Sequence, residues 1–229
     1  MTEKKLPHDH GQKIEKSLTC MPGTEDFQKF GGAEELELSY TRTPLLSLVR
    51  KRAGWLVILF LSEMLTASAM GYFDDEIARA VVLALFVPLI ISSGGNSGSQ
   101  AASLIIRALA LGELGIRQWW YILRKELLSG VLLGAILGCI GLVRIIVWQQ
   151  FGLYDYGEYW GWIGASVAVS LLFIVLWGTV SGSMIPLLLK RIGLDPATAS
   201  APFVATLVDV TGLIIYFTVS AILLSGKLL

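Results

Sequence analysis

Pro88-Leu-Ile-Ile-Ser-Ser-Gly-Gly-Asn96-Ser-Gly-Ser-Gln100 sits in the middle of an apolar segment that begins near Ile77 and reaches Leu111. A proline followed by a dense Gly/Ser run disfavours regular helix, because proline removes an amide donor and glycine loses the most backbone freedom on ordering. Irregular backbone at membrane depth is tolerated only where protein or a watery cavity satisfies its N–H and C=O groups. The stretch is therefore a candidate ion or solute site. Asn96 and Gln100 are four residues apart, so wherever the segment is helical their side chains share a face and offer neutral oxygens to a cavity. The plainer alternative is that these small residues let helices pack closely in a bilayer.

The rest of the chain supports a membrane setting. Of its 229 residues, 54% are hydrophobic and only 16% charged, with a mean hydropathy of +0.66. That composition is far from an ordinary soluble domain, and the length suits one compact domain. A formal net charge of zero says little, since in a membrane protein the placement of charge matters more than its sum. Cys20 stands in a polar stretch and Cys139 in an apolar one, so neither a disulfide nor a metal cluster is expected.

Outward from the central stretch, residues 1–43 read as a polar cytosolic tail, partly disordered. Within it, Pro7-His8-Asp9-His10 is a weak metal signal and Glu34, Glu35 and Glu37 form an acidic cluster best read as a solvated face. Thr43-Pro44 marks a helix start, with Thr43 as N-cap and Pro44 at the first helical position. Residues 44–52, ending in Arg50-Lys51-Arg52, form an amphipathic interfacial stretch that leads into a membrane domain over 53–229. Its first span, about Ala53 to Tyr72, carries Glu63. A carboxylate at that depth reads either as a cation ligand or proton carrier facing a cavity, or as a hydrogen-bonded contact between helices.

Asp74, Asp75 and Glu76 follow as an acidic turn suited to concentrating cations at an outer mouth, or simply solvated. The second span holds the Pro/Gly/Asn stretch. Residues 117–126 mix Trp119, Trp120 and Tyr121 with basic side chains, an interfacial anchor. A third span, about Leu127 to Trp148, repeats Gly130, Gly134 and Gly138 on one face for close packing. The fourth, about Gly161 to Leu189, is longer than a bilayer needs and is expected to tilt, or to break near Gly182 and Pro186. Asp195-Pro196 caps and opens the fifth, which runs to about Leu224 with Asp209 near its middle, between Thr206 and Thr211. An acidic side chain inside a bundle is a functional-site hypothesis by default, with a structural hydrogen-bonded carboxylate as the alternative.

Charge placement gives the orientation. With the N-terminus in the cytosol, fifteen of the 18 Lys and Arg residues fall at the inner side, and only Arg79, Arg144 and Lys227 outside. The expectation is an all-α protein with five transmembrane helices, N-terminus in and C-terminus out. The first and last span pairs then run in opposite senses, and the Pro88…Asn96 and Pro202…Asp209 spacings hint at an inverted repeat.

Two blocks now carry a resemblance: the Gly-Gly-Asn96-x-Gly-x-Gln100 core with Arg107-Ala-Leu-Ala-Leu-Gly-Glu113, and Gly193-Leu-Asp-Pro-Ala197 continuing through Ala201-Pro-Phe-Val-Ala-Thr-Leu-Val-Asp209 to Tyr216. Over residues 53 to 225 the chain resembles the membrane domain of the MgtE family of magnesium channels. The resemblance implies a homodimer in a cell (inner) membrane, with a pore along the subunit interface lined by spans two and five. Asp209 matches the family's pore carboxylate, and the Asn96 segment faces the same pore. Mg²⁺ prefers six oxygens in octahedral array and gives up its water reluctantly. Asp209, with Asn96 and Thr206, would hold a largely hydrated ion, and Gly94, Gly95, Gln100 and Ala205 would line its path; Glu63, which does not map onto the family's pattern, is a further pore-lining candidate from its depth in span one.

The expected partners are a second copy, the bilayer and divalent cations, not nucleic acid. About 50 residues precede the first span, which leaves no room for the family's N-terminal and CBS sensor domains. Gating is therefore expected to differ, through constitutive opening, the Glu34/Glu35/Glu37 patch or membrane potential. The main alternative is a Mg²⁺ exchanger coupled to Na⁺ or H⁺; an anion site near Asn96 and a purely structural membrane subunit are further ones. No nucleophile–base pair stands out, so no enzymatic activity is expected.

Overall fold

A computed structural model describes residues 40–198 and 201–228. The histidines of the tail, the Glu34/Glu35/Glu37 cluster and Cys20 lie outside the described residues. Six α-helices follow in order: α1 Leu45–Tyr72, α2 Asp74–Arg79, α3 Val87–Ala110, α4 Trp119–Gln150, α5 Trp160–Arg191 and α6 Ala201–Leu224. Short 3-10 turns at Val81–Phe86, Ile116–Gln118 and Pro196–Thr198 lead into α3, α4 and α6. With those turns included, five helical segments are long and apolar enough to cross a membrane. The chain is an all-helical, multi-pass membrane protein.

α1 begins one residue later than the sequence suggests. Pro44 is the extended cap residue at ψ 144° and Leu45 the first helical one. From there the helix continues without a break from the 44–52 stretch into the first span.

The Gly/Ser stretch is not irregular. α3 is continuous from Val87 through Ala110, which corrects the expectation drawn from Pro88 and the glycines. Pro88 falls in the first helical turn, where the missing N–H would have had no intrahelical partner. Glycine's entropic cost is offset by packing. Gly94 and Gly98 lie against Gly178 of α5, where an added Cβ would come within 2.5 Å of the Gly94 carbonyl oxygen. The same construction at Gly182 runs into the Gly98 carbonyl. Helix backbones that approach this closely gain dispersion contacts that larger side chains would prevent.

α5 is the centre of the bundle. Ile163, Val167, Leu171, Ile174 and Val175 are all buried along it, and it packs against α4, α3 and α6. It stays helical past Gly182 and with Pro186 inside it, so the expected break is absent. At 32 residues it is ~48 Å long at 1.5 Å per residue, enough to cross at a tilt or project from the bilayer. The face of α4 containing Gly130, Gly134 and Gly138 seats on α5: a Cβ on Gly134 would stand 2.8 Å from the Leu172 backbone. Past α5, Gly193 takes φ +81° while Leu194 N–H returns to the Leu189 carbonyl at 2.9 Å, a helix stop that needs the left-handed region.

At one end of the bundle, Phe73 stacks on Phe217 with centroids 5.0 Å apart, and the Tyr216 hydroxyl donates to the Leu83 carbonyl at 2.9 Å. α1 leans chiefly on α6 and makes no substantial contact with α3, whereas α5 and α6 pack closely. The first and last span pairs thus differ in how closely their two helices pack. Thr66 is the one buried residue described on α1, while Phe60, Leu61, Met64 and Leu65 are exposed.

Candidate ion site between α3 and α6

Asp209 lies a little over a third of the way along α6 and is half-buried. The neighbouring α3 brings Gly95 to it: a Cβ built there would be 2.9 Å from Asp209 Oδ1 and 3.4 Å from the Ala205 Cβ. Only a residue without a side chain leaves the carboxylate that space. Around this point the walls are apolar, with Gly94 against Ile174 and Val208 and Gly98 against Val204. Ser99 fixes the relation of the two helices by donating to the Ala201 carbonyl at 3.0 Å. Gly94, Gly95, Ala205 and Asp209 are therefore brought together.

Asn96 and Gln100 both lie exposed on α3. The Asn96 amide donates to Ser92 Oγ at 3.2 Å, which leaves its carbonyl oxygen turned to other partners as an acceptor. Thr206 is buried, and its hydroxyl donates to the Pro202 carbonyl at 3.0 Å. That bond directs its proton onto its own helix and leaves only lone pairs for a cation. Thr211 is engaged elsewhere, accepting from Trp177 Nε1 at 2.7 Å.

Glu63, on α1, is exposed in the single chain yet lies within coulombic range of Asp209. Nothing in the sequence spacing gave that proximity, because the two residues stand on helices at opposite ends of the chain. Asp74 and Asp75 are exposed and Glu76 is partly so, all in the first turn of α2. There they complement the positive end of the helix dipole, and they sit at the end of the bundle from which α3 starts. The partners of Gly98 on α5, Gly178 and Gly182, were a missed feature. Their four-residue spacing was the available signal.

Among the described residues, no three His, Cys, Asp or Glu side chains converge on one point. Asp209 offers carboxylate oxygens here, donors of the kind suited to hard cations that keep part of their water.

Fold and site together define an integral membrane protein that places one carboxylate and neutral oxygens along a seam of small residues. Residues 87–219 match the family MgtE, described as divalent cation transporter. The chain belongs to the MgtE family. It is 41% identical over 203 residues to the magnesium transporter MgtE of Thermus thermophilus, covering 89% of this chain and 43% of that protein. Relatives of the same name from Bacillus subtilis and Enterococcus faecalis are 30% and 31% identical over 196 residues, each covering 86% of this chain and 41% of the relative. The chain thus spans about two fifths of the length of the curated relatives it matches.

Proposed function

We propose that the chain conducts Mg²⁺ across the membrane as a channel, the ion moving largely hydrated past Asp209. The observation that carries this is the Asp209 carboxylate facing the bare backbone of Gly95, with Ala205 beside it. A carboxylate in such a place attracts a cation electrostatically, and an ion that keeps its water is held through it. Membership of a divalent cation transporter family supports the choice of ion.

The pore is proposed to form between two copies of the chain. Asn96, Gln100 and Glu63 are polar and exposed partway along their helices, and polar groups at that depth face a bundle interior or a watery cavity rather than lipid. A second subunit related by a two-fold axis would cover that face and bring a second Asp209 opposite the first.

The test is Mg²⁺ entry into liposomes holding the purified chain, with no Na⁺ or proton gradient, wild type beside Asp209→Ala. Entry should follow the Mg²⁺ gradient and fall roughly tenfold or more in the variant, about 1.4 kcal/mol in the barrier. Entry that waits for a Na⁺ or proton gradient would favour an exchanger, and entry unaffected by the substitution would move the ion site elsewhere.

A further inference from the structure

Two ring contacts set the register between α1 and α6. Trp55 meets Phe203 at a centroid distance of 6.4 Å, and Phe73, just past the end of α1, meets Phe217 at 5.0 Å. Eighteen residues of one segment therefore run beside fourteen of the other. Glu63 stands eight residues above Trp55 and Asp209 six above Phe203, so interpolation between the contacts puts the two carboxylates at one depth. Their coulombic interaction agrees with that register.

One turn beyond Glu63 on the same helical face is Thr66, only 7% exposed. Its Oγ1 is buried with no hydrogen-bond partner. As the buried residue of α1, whose principal neighbour is α6, it is directed into the same seam. A buried hydroxyl without a partner is costly and calls for an explanation such as an ion or water that it meets in function. The basic residues on the spans around the seam, Arg50, Lys51 and Arg52 on α1, Arg107 on α3 and Lys190 and Arg191 on α5, are near helix ends rather than at this depth. Two carboxylates at one level, without a protein cation at that level, repel each other unless a cation joins them.

We propose that Glu63 and Thr66 complete the ion site of Asp209, so that a divalent cation is held between α1 and α6 by two carboxylates and a hydroxyl, with water in the remaining positions. This rests on the channel reading above and adds the charge of Glu63 to that of Asp209 in each copy. A larger negative charge at the site favours a divalent over a monovalent ion; with Glu63 neutralised, that preference weakens.

The experiment uses the purified full chain. Apparent Mg²⁺ affinity is read from the Mg²⁺-dependent rise in unfolding temperature in detergent, and entry of Mg²⁺ and of Na⁺ is read in liposomes, for wild type, Glu63→Gln, Thr66→Val and Asp209→Asn. Glu63→Gln should weaken Mg²⁺ affinity roughly tenfold, the scale of losing one partly screened charge, and lower the Mg²⁺/Na⁺ entry ratio. Thr66→Val should weaken affinity by a smaller factor. A folded Glu63→Gln variant with wild-type affinity and ratio, beside an Asp209→Asn variant that has lost both, overturns this inference and leaves the channel reading standing. If Asp209→Asn also behaves as wild type, the channel reading fails as well. Should Glu63→Gln not fold, wild-type affinity in Thr66→Val overturns the proposal.

Discussion

Single atoms separate the two kinds of glycine in this protein. A methyl added at Gly95 meets the end of the Asp209 side chain, 2.9 Å away, and a carboxylate can rotate aside. A methyl added at Gly182 meets the Gly98 carbonyl, which belongs to a helix backbone and cannot move without moving α3. Gly95→Ala should therefore leave the unfolding temperature almost unchanged while lowering Mg²⁺ entry several-fold. Gly182→Ala should lower stability by about 1–3 kcal/mol, the usual range for overpacking. Thermal unfolding and liposome flux on both variants check this contrast; equal loss of stability in the two would contradict it. Asp209 stood out in the sequence as a candidate because a lone acid in an apolar helix is expensive. That Gly95 in particular lies against it did not, since sequence does not say which glycine of a run faces which neighbour.

Helix ends and connections depend on a few polar bonds. Tyr216 is fully buried and joins α6 to the 3-10 turn before α3 by its bond to the Leu83 carbonyl. Tyr216→Phe keeps the ring but leaves that carbonyl unpaired, so unfolding should become easier by about 1–2 kcal/mol. Wild-type stability in that variant would mean the turn finds another donor. In the loop between α4 and α5, Asp155 accepts from the Gly157 N–H at 2.9 Å and from Gln149 at 3.2 Å. These bonds, the Gly157 one foremost, hold its carboxyl below its usual range. A lowered value in the folded state means the contribution to order is present above the ordinary aspartate range, near ~3.9, and is lost as pH falls through the lowered value. Hydrogen-exchange protection of residues 151–159, taken relative to the intrinsic rate at each pH, should thus fall as the pH is taken below about 4, and Asp155→Asn, which keeps an acceptor oxygen, should remove that acid transition. Protection that is flat with pH in the wild type would contradict the assignment.

Across the whole molecule, five helical segments are long and apolar enough to span, and an odd number of crossings is expected to put the two ends of the membrane domain on opposite sides. The concentration of Lys and Arg on one side argues that the connection after α1 is outside. Asp75→Cys, in a background with Cys20 and Cys139 replaced by serine, should react with a membrane-impermeant maleimide added to intact cells. Labelling only after permeabilisation would invert the topology. α1 belongs to this scale too. It is covered on little more than the side facing α6, so a helix that is peripheral in one chain is where lipid or a second copy makes contact.

Hydropathy and the two polar blocks determined from sequence alone the number of apolar spans, their approximate limits and the family resemblance, and marked Asp209 as a candidate. These are local or summed properties, and a bilayer imposes them on any chain that crosses it. Tertiary structure decided the rest. α3 stays helical through Gly94 and Gly98 because α5 presents glycines opposite them, and Pro186 is absorbed inside a helix packed on three sides. Glu63 comes level with Asp209 because α1 lies along α6 in a register set by Trp55 and Phe73. Proximity between residues 146 positions apart depends on how helices associate, and no periodicity within one helix encodes that.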